Sequence, residues 1–520
     1  MSRLIGDILQ QSALRFPGRT AIIDGDQCAS YAQFNARVNQ FAHALLDLNL
    51  NKADKIAILS TSRFEYALAY FAIARCGQVS VHISTRATEE DMAFMLNKVH
   101  AKALLFEAKF APKVTAVLAK PGHLQTLVAW GNNGSATDLP KACRSLEAFL
   151  HGYPENQPKV AIGQSDPVAI TFTGGTTGFP KAVLVSHQAR CATALASAID
   201  FGLTEQDIVI VATPLFHAAG LFVWFTTAIM HGASIVLQRS WDPRRFVELV
   251  QGEAVSAAFL VPSQLHDVIT QTDFAPRRLA SLKKIGYAGA PIGSALSERI
   301  RNALPGVQFT ENYGQSEACP ITVRCPWHPT DKRGTVGRAA SNVELRVVDQ
   351  HGNPRPTGEM GEVIVRAEQV FDGYFDDSQQ TAAAFRNGDG WLWTGDLGYL
   401  DTDGFLTLVD RSKDMLVTGG ENVYPAEIEN ALYCHEAVAE CAVFGIPDSH
   451  LGEVTAAHVV ATRGASISEA ELIEFCARKV ARFKAPRLIK FVSELPHTPV
   501  GKIRKNLLRE PYWAGHKTVI

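Results

Sequence analysis

The segment 171–181 carries the residue types that bind a nucleoside triphosphate. It reads Thr-Phe-Thr-Gly-Gly-Thr-Thr-Gly-Phe-Pro-Lys and follows an apolar run, 168–170, that is typical of a buried strand. Glycines let backbone N–H groups approach phosphate oxygens closely, threonine hydroxyls add donors, and Lys181 adds positive charge. The spacing is neither that of a Walker A loop nor G-x-G-x-x-G. The sequence therefore predicts a phosphate-binding loop of another fold rather than an ordinary surface loop.

Further segments pair polar or charged groups with glycine or proline in short turns. Alone, each has an ordinary interpretation: a single Glu317 is more often a solvated acid, and a single Lys502 near the C-terminus a solvated lysine. Their order along the chain is more informative than any one of them. They are 214–220 (Pro-Leu-Phe-His-Ala-Ala-Gly), 286–291 (Gly-Tyr-Ala-Gly-Ala-Pro), 312–317 (Asn-Tyr-Gly-Gln-Ser-Glu), 393–396 (Trp-Thr-Gly-Asp), 410–414 (Asp-Arg-Ser-Lys-Asp), 419–425 (Gly-Gly-Glu-Asn-Val-Tyr-Pro) and 499–504 (Pro-Val-Gly-Lys-Ile-Arg).

In this order the segments resemble the motifs of the adenylate-forming superfamily. That superfamily comprises acyl- and aryl-CoA synthetases, peptide-synthetase adenylation domains and beetle-type luciferases. The resemblance covers essentially the whole chain. Its phosphate-loop pattern is roughly [YF]-T-S-G-[ST]-T-G-x-P-K-G, and this chain departs from it twice. Gly174 replaces the Ser, which removes a hydroxyl near the phosphates, and Ala182 replaces the last Gly.

The resemblance implies ATP as a co-substrate and assigns its site. Physical roles can be given beside it: Tyr313 offers a flat face for adenine, Asn312 an amide for its exocyclic edge, and Asp396 a carboxylate for the ribose hydroxyls. The implied ATP- and AMP-binding residues are Thr173, Gly174, Gly175, Thr176, Thr177, Gly178, Lys181, Gly289, Ala290, Pro291, Asn312, Tyr313, Gly314, Asp396 and Arg411.

Adenylation sets a carboxylate against the α-phosphate of ATP and expels pyrophosphate, so that two anions must meet. Such a site needs positive charge and a metal ion. Mg²⁺ prefers oxygen ligands, and Glu317 is the candidate carboxylate ligand. The other implied catalytic residues are Ser316, a donor to the α-phosphate, and Lys502, a movable point charge. The resemblance also implies His217, which is either a gate to the acyl site or a core histidine.

The C-terminal motifs imply a second half-reaction with a thiol. In the resembled family a small C-terminal domain rotates after adenylation, and Lys413 stands at the hinge position. Some aryl-CoA ligases place a Trp where this chain has Leu451, which leaves a carrier-protein pantetheine arm open as the acceptor instead of CoA. The implied CoA-binding residues are Gly419, Gly420, Arg482, Phe483 and Lys484.

The acid substrate is expected to bind in an apolar pocket that suits an acyl or aryl tail. The stretch 208–238 contributes to this pocket and contains no Asp, Glu, Lys or Arg. No acid is therefore available there to pair with an α-amine, which disfavours an amino-acid substrate. The implied lining residues are Phe216, His217, Phe222, Trp224, Ala288 and Tyr313.

On length alone, the uncharged stretch 208–238 could span a bilayer. Polar and helix-breaking residues divide it into short apolar runs, so we predict a buried strand, a loop and a core helix instead. The dividing residues are Pro214, His217, Gly220, His231 and Gly232.

Alternating helix and strand patterns position these motifs. Helix-spaced apolar residues predict helices over 30–46 and 64–74, and short buried runs predict strands over 55–60 and 79–83. This alternation predicts an α/β fold with largely parallel sheets. We expect an N-terminal adenylation domain, 1–412, of αβαβα-type subdomains plus a small β-barrel.

The chain changes character after Asp396. The turn signal at 401–404 predicts two adjacent strands. We then expect a mobile α+β lid domain, 413–520. Its predicted helices are 426–432 and 469–480, and its predicted strands are 438–444, 455–460 and 488–491.

Composition narrows the function further. The 520 residues include 50 Lys and Arg against 52 Asp and Glu, which excludes a strongly basic nucleic-acid face over the whole chain. The nine dispersed cysteines form no C-x-x-C pair, which is typical of reduced thiols and favours a cytoplasmic protein. We expect small-molecule partners, no nucleic acid and no membrane span, and the sequence leaves a homodimer open.

The leading hypothesis is an ATP-dependent carboxylic acid–CoA ligase for a fatty or aromatic acid. The first alternative is an acyl-AMP ligase that loads a separate carrier protein. A luciferase-like oxygenase is a further alternative. A degenerate binding member of the fold is the fourth, which Gly174 and Ala182 alone support.

Overall fold

The computed structural model describes residues 4–131, 139–173, 180–290, 292, 294–386, 388–411, 414–419, 421–448, 450–462, 464–497 and 503–514. The helices in these residues are α1 (Ile5–Arg15), α2 (Tyr31–Leu46), α3 (Phe64–Arg75), α4 (Glu89–Lys98), α5 (Ala111–Leu118), α6 (Leu146–Leu150), α7 (His187–Phe201), α8 (Thr226–His231), α9 (Pro243–Gly252), α10 (Pro262–Ile269), α11 (Ser294–Ala303), α12 (Ser378–Ala384), α13 (Pro425–Tyr433), α14 (Glu469–Ala477) and α15 (Lys505–Trp513).

The strands are β1 (Thr20–Asp24), β2 (Gln27–Ser30), β3 (Lys55–Leu59), β4 (Val79–His82), β5 (Ala103–Glu107), β6 (Thr126–Trp130), β7 (Arg144–Ser145), β8 (Pro167–Thr173), β9 (Lys181–Ser186), β10 (Ile208–Val211), β11 (Ser234–Leu237), β12 (Ala257–Leu260), β13 (Lys284–Tyr287), β14 (Gln308–Gln315), β15 (Ala318–Arg324), β16 (Arg338–Ala339), β17 (Val343–Val348), β18 (Gly361–Ala367), β19 (Gly373–Tyr374), β20 (Leu392–Leu400), β21 (Leu406–Arg411), β22 (Leu416–Thr418), β23 (Glu421–Val423), β24 (Val438–Asp448), β25 (Gly452–Ala461) and β26 (Leu488–Phe491).

The first sheet has the spatial order β19-β9-β8-β4-β3-β5-β6-β7. Its strands from β8 to β7 pair in parallel, whereas β9 and β19 run antiparallel at one edge. The strands β3, β4 and β5 are almost wholly buried, as expected for parallel strands covered by helices on both faces. The connection from β8 to β9 therefore lies at the carboxyl edge of this sheet.

The second sheet has the order β16-β15-β14-β13-β12-β10-β11-β1-β2. The strands from β14 to β1 are parallel, and β15 returns antiparallel to β14. Gln315 and Ala318 are partners across this hairpin, so Ser316 and Glu317 form its two-residue turn. That turn also lies at a carboxyl edge, where open α/β sheets place their ligands.

The uncharged stretch 208–238 lies in the core between these sheets. It begins with β10, passes through a loop and a π-helix (Ala219–Phe225), and continues into α8. The predicted strand, loop and core helix are confirmed, and the sequence missed the second strand, β11. Glycine is required at Gly220, because a Cβ there would lie 2.5 Å from the carbonyl oxygen of Pro214.

Two smaller sheets complete the described chain. The small β-barrel expected from the resemblance corresponds, in the described residues, to an antiparallel sheet of four strands in the order β17-β18-β20-β21. The C-terminal sheet has the order β23-β22-β25-β24, with β26 parallel to β25 and α13 and α14 packed in its core. The α/β class is confirmed, and the predicted helices and strands occur. The largest shift at an element end is in β24, which extends to Asp448 rather than stopping at 444. The predicted domain boundary, at 412 and 413, lies outside the described residues.

A buried histidine ties the N-terminal helix to the phosphate hairpin. The ring Nδ1 of His187, the first residue of α7 after β9, accepts a hydrogen bond from the backbone N–H of Ile5 at 3.1 Å. Burial lowers the pKa of His187 to about 4. The ring is therefore neutral at physiological pH, as its acceptor role requires.

His187 should make the protein less stable as the pH falls. The unfolded chain takes up a proton on His187 near pH 6.5, but the folded protein does so only near pH 4. The contribution of His187 to the free energy of unfolding is therefore fully present above pH 6.5 and is lost as the pH falls towards 4. The shift corresponds to about 3 kcal/mol at most. Asn at this position keeps an acceptor but does not titrate. We therefore expect the melting temperature of His187→Asn, measured by calorimetry, to fall less between pH 7.5 and pH 5 than that of the wild type. Parallel losses in the two proteins would contradict this role.

Candidate active site

The predicted phosphate loop joins two antiparallel strands. Thr173 ends β8, Lys181 begins β9, and the two are partners in the strand register. Both ends of the loop are therefore fixed at the carboxyl edge of the first sheet, where backbone N–H groups can face an anion. The loop residues Gly174, Gly175, Thr176, Thr177 and Gly178 lie outside the described residues, and their role stays a prediction.

Lys181 and Glu317 meet on one tyrosine that the sequence did not single out. The Nζ of Lys181 lies 4.7 Å from the centre of the Tyr374 ring. The hydroxyl of Tyr374 donates to Oε1 of Glu317 at 2.8 Å, and Glu317 is buried. Since β19 pairs with β9, Tyr374 lies beside the phosphate hairpin. A cation and a carboxylate are thus placed next to the loop predicted to hold phosphates.

Glu317 suits the Mg²⁺ ion that the resemblance implies. Its carboxylate offers oxygen, and the hydroxyl of Tyr374 orients it. Within the described ranges, no group of three or more His, Cys, Asp or Glu residues could hold a metal by itself. The arrangement therefore fits an ion that takes one protein carboxylate and completes its shell with phosphate oxygens and water.

The amide of Asn312 is buried without a protein partner. Asn312 is 3% exposed on β14, and neither its Nδ2 nor its Oδ1 is hydrogen-bonded to any described residue. A desolvated amide of this kind costs roughly 1–3 kcal/mol unless a ligand satisfies it. Its paired donor and acceptor match the edge of a purine, which agrees with the adenine contact predicted for this residue.

Tyr313 joins the second sheet to the antiparallel sheet of β17, β18, β20 and β21. Its hydroxyl donates to Oδ2 of Asp396 at 2.5 Å, and Asp396 is buried at 6% exposure. Beside this bond, Nε2 of Gln315 donates to the carbonyl oxygen of Thr394 at 3.3 Å. Asp396 also lies opposite Arg411 in the register of β20 and β21. The structure therefore brings the predicted base and ribose contacts together.

An ion pair between a buried carboxylate and an exposed arginine, which the sequence did not predict, holds the turn before Asp396. Oε1 of Glu362 accepts the backbone N–H of Gly395 at 3.1 Å, and Arg386 grips the same carboxylate with two hydrogen bonds of 3.0 Å. Gly395 has a φ of +74°, which favours glycine. Glu362 and Arg386 are therefore positioning residues for Asp396.

A second buried cluster supports the strand that carries Asn312. Glu311 pairs with Arg324, whose Nε lies 3.1 Å from its carboxylate, and the hydroxyl of Tyr287 donates to Glu311 at 3.0 Å. Nη2 of Arg324 also donates to Tyr287 at 2.7 Å. Burial raises the pKa of Tyr287, so it stays protonated. This cluster fixes β13, β14 and β15 relative to one another, and the segment 288–290 follows β13 directly.

The predicted lining residues of the acyl pocket differ in their surroundings. The indole N–H of Trp224 donates to the carbonyl oxygen of Ile210 at 2.9 Å, and its ring packs between Phe201 and Phe259. Trp224 is therefore a core residue, and this part of the prediction gains no support from its contacts. Phe222 packs against the buried ring of Tyr70.

Closer to the surface, His217 is half-buried, and its Nδ1 accepts the N–H of Ala219 at 3.3 Å. Phe216 is buried and Ala288 half-buried, whereas Gly289 and Ala290 are exposed at the end of β13. His217, the predicted gate, is thus partly exposed, and its role stays a prediction. Pro291 lies outside the described residues.

The predicted CoA contacts lie in the C-terminal sheet and beside it. Lys484 forms an ion pair with Glu427 at 2.7 Å, whereas Phe483 is 43% exposed and Arg482 is exposed. The N–H of Gly419 donates to the carbonyl oxygen of Leu451 at 2.9 Å. Gly420, the predicted hinge residue Lys413 and the predicted catalytic residue Lys502 lie outside the described residues, and their roles stay predictions.

The base of the Lys502 loop is described. His497 and Ile503 form a β-bridge, and Lys505 pairs with Glu429 of α13 at 2.7 Å. The two ends of the loop are thereby anchored to the C-terminal domain. No helix that the structure describes has the length and apolar character needed to cross a bilayer.

Comparison with known proteins agrees with this geometry. The family model of the AMP-binding enzymes matches residues 9–375, and the model of the AMP-binding enzyme C-terminal domain matches 427–502. The chain is 33% identical over 513 residues to the 3-[(3aS,4S,7aS)-7a-methyl-1,5-dioxo-octahydro-1H-inden-4-yl]propanoyl:CoA ligase of Rhodococcus jostii, covering 96% of this chain and 97% of that protein.

It is also 33% identical over 515 residues to the long-chain-fatty-acid–CoA ligase FadD13 of Mycobacterium tuberculosis, covering 98% and 99% of the two chains. Among solved structures, ATP-bound MatB from Rhodopseudomonas palustris superimposes with a TM-score of 0.88 at 28% identity. This match covers 98% of the present chain and all of that one.

We expect removal of Glu362 to weaken recognition of the ribose. Glu362→Ala frees the N–H of Gly395 and lets Asp396 move, so the KM for ATP should rise roughly tenfold, the scale of one lost charge-assisted hydrogen bond. The preference for ATP over 2′-deoxy-ATP and 3′-deoxy-ATP should shrink as well. Steady-state kinetics with the three nucleotides measures both effects.

Glu362→Gln is the matched control, because it keeps an acceptor for Gly395 and loses only the charge that pairs with Arg386. It should retain most of the discrimination. An alanine variant that melts normally and still discriminates between the nucleotides as the wild type does would show that Glu362 does not act through Asp396.

Proposed function

The chain belongs to the family of AMP-binding enzymes, and on that premise we propose that it is an AMP-forming carboxylic acid–CoA ligase. It joins an organic acid to the thiol of CoA in two steps, through an acyl-adenylate. The observation that carries the proposal is the convergence of three groups on the short segment 312–317. These are the unpaired amide of Asn312, the bond from Tyr313 to Asp396, and the carboxylate of Glu317 beside Lys181.

The order of these groups along the segment matches the order of parts in a nucleotide. The amide of Asn312 takes the adenine edge, and Asp396 takes the ribose hydroxyls on the far side of Tyr313. The turn at Ser316 and Glu317 then faces the phosphates, and the Nζ of Lys181 lies over the ring of Tyr374, whose hydroxyl donates to Glu317. This sequence of contacts fixes the α-phosphate near the turn, where Ser316 can donate a hydrogen bond.

In the first step, a carboxylate oxygen of the acid attacks the α-phosphorus, and the bond to the bridging oxygen breaks with release of pyrophosphate. Lys181, and by the resemblance Arg411 and Lys502, offset the charge where the two anions meet. Glu317 would hold Mg²⁺, which when bound neutralises phosphate charge. The buried surroundings strengthen each of these interactions because they exclude water.

In the second step, the sulfur of the thiol attacks the acyl carbon, and the bond from that carbon to AMP breaks. The thiol proton leaves to solvent and AMP is released. We propose that the C-terminal domain, hinged at Lys413, exchanges the Lys502 loop for the face around Gly419, Gly420, Arg482 and Phe483. Lys484 follows Phe483 directly and is assigned to the same face, although its charge is paired with Glu427.

The main alternative keeps the first step and changes the acceptor to the pantetheine arm of a carrier protein. The observation in its favour is Leu451, which lies against Gly419 on the face proposed to receive CoA. Thioester formation with CoA and with a holo-carrier protein, each measured by AMP release, separates the two acceptors. A binding protein without catalysis would exchange no pyrophosphate with any acid.

None of the nine cysteines forms a disulfide within the described residues, which supports a reducing compartment such as the cytoplasm. The balanced net charge of −2 suits an enzyme of small anionic substrates whose positive charge is placed locally.

Lys502→Ala should lower acid-dependent ATP–pyrophosphate exchange by 10²–10³ or more, the scale of losing one preorganised charge donor. Exchange of labelled pyrophosphate into ATP across a panel of aliphatic and aromatic acids measures this loss and also finds the preferred acid. Lys490→Ala, which removes an exposed lysine of the same domain, is the control and should exchange normally. Near-normal exchange in Lys502→Ala would end the catalytic role of this residue.

Lys413→Pro should separate the two half-reactions. Proline restricts φ at the proposed hinge, so domain rotation should stop while adenylation continues. We expect pyrophosphate exchange close to that of the wild type and loss of thioester formation, with Lys413→Ala active in both assays. Equal losses in the two half-reactions would contradict a hinge at this position.

A further inference from the structure

A fully buried arginine lies on the wall that the sequence predicts to be apolar. Arg190 of α7 is 0% exposed, and its guanidinium carbon lies 4.9 Å from the ring centre of Phe222, a predicted lining residue of the acyl pocket. One nitrogen, Nη2, donates to the carbonyl oxygen of Gln369 at 3.3 Å. The other two, Nε and Nη1, have no hydrogen-bond partner among the described residues.

The surroundings of Arg190 do not neutralise it. Tyr70 and Phe222 are buried beside it, and Cys319 is 9% exposed. The acid within electrostatic range is Asp372, which is exposed and interacts with Ser186. Burial lowers the pKa of Arg190, but a guanidinium remains protonated in proteins. A desolvated charge with two unpaired donors is costly, and such groups are retained where a partner arrives.

The position of Arg190 points to the acid as that partner. Arg190 packs on Phe222, five residues after His217 in the uncharged stretch. It is also within electrostatic range of Cys319, two residues after Glu317 on the returning strand, or about 7 Å along a strand. Arg190 is therefore close both to the predicted acyl wall and to the strand that follows the predicted adenylation centre.

We propose, on the basis of the function given above, that Arg190 binds an acceptor oxygen carried by the acid away from its reacting carboxylate. The substrate class is then a dicarboxylic or oxo-carboxylic acid rather than a plain hydrocarbon acid. A carboxylate or a ketone would accept from Nε or from Nη1, the two unpaired donors, which point to different sides of the planar guanidinium. The expectation of a wholly apolar tail, drawn from the sequence, is revised accordingly.

Pyrophosphate exchange with acids of equal carbon number tests the proposal. Hexanoate, 5-oxohexanoate and hexanedioate form one set, and the corresponding sets with four and eight carbons vary the reach. We expect the wild type to prefer an oxygenated acid to the plain acid in kcat/KM by roughly 10- to 100-fold for at least one length. Preference for the diacid identifies a carboxylate as the partner, and preference for the oxo acid identifies a carbonyl.

The variants locate the preference. In Arg190→Leu the ratio of kcat/KM between oxygenated and plain acid should fall towards one, whatever happens to the rate with the plain acid. Arg190→Lys, which keeps the charge but not the planar array of donors, should give an intermediate ratio. A purely structural arginine would instead lower the rate with every acid by the same factor and leave the ratio unchanged.

The wild type alone can overturn the proposal, so the test does not depend on the folding of a variant. If the plain acids are used as well as the oxygenated ones at every length, Arg190 does not bind substrate. If no acid of any kind supports exchange, the proposed ligase function fails instead, and the two failures are therefore distinguishable.

Discussion

The hydrogen bond from Tyr313 to Asp396 is the contact on which the active site depends. It joins the hairpin of β14 and β15 to the third sheet, and the bond from Gln315 to Thr394 lies beside it. Asp396 is itself held in position by Glu362, which accepts the backbone N–H of the preceding residue, Gly395. A short hydrogen bond to a carboxylate is among the strongest available to a protein. The groups assigned to the base and to the ribose lie on two separate sheets, and without this bond only the one from Gln315 to Thr394 would hold them together.

The hairpin itself is a second constraint. A two-residue turn places Ser316 and Glu317 close to the residues assigned to the base, and Gly314 leaves no room for a side chain because a Cβ would lie 3.0 Å from the carbonyl oxygen of Ala318. In the part of the chain that the structure describes, several buried polar atoms have no hydrogen-bond partner, among them the amide of Asn312, Nε and Nη1 of Arg190, and the hydroxyl of Thr171 before the phosphate loop. Such groups weaken folding and are tolerated where ligands satisfy them.

The sequence predicts the regular elements well because their signals are local. Apolar spacing marks α2 and α3, and the turn at 401–404 marks the hairpin of β20 and β21. The site is predicted only in part, since Tyr374, Glu362 and Arg190 meet their partners across 57, 33 and 32 residues of chain. The periodic spacing of apolar residues does not reveal contacts between residues that lie so far apart in the sequence. The hydrophobicity of Phe222 predicts an apolar wall, but it says nothing about the charge packed against it.

The central claim is that the acid is activated as an acyl-adenylate, and an isotope shows this most directly. When the enzyme turns over an acid labelled with ¹⁸O in both carboxylate oxygens, attack on the α-phosphorus leaves one labelled oxygen in AMP after thioester formation. Mass spectrometry of the products should therefore find AMP heavier by one ¹⁸O and unlabelled pyrophosphate. Unlabelled AMP, or label in pyrophosphate or inorganic phosphate, would contradict the account.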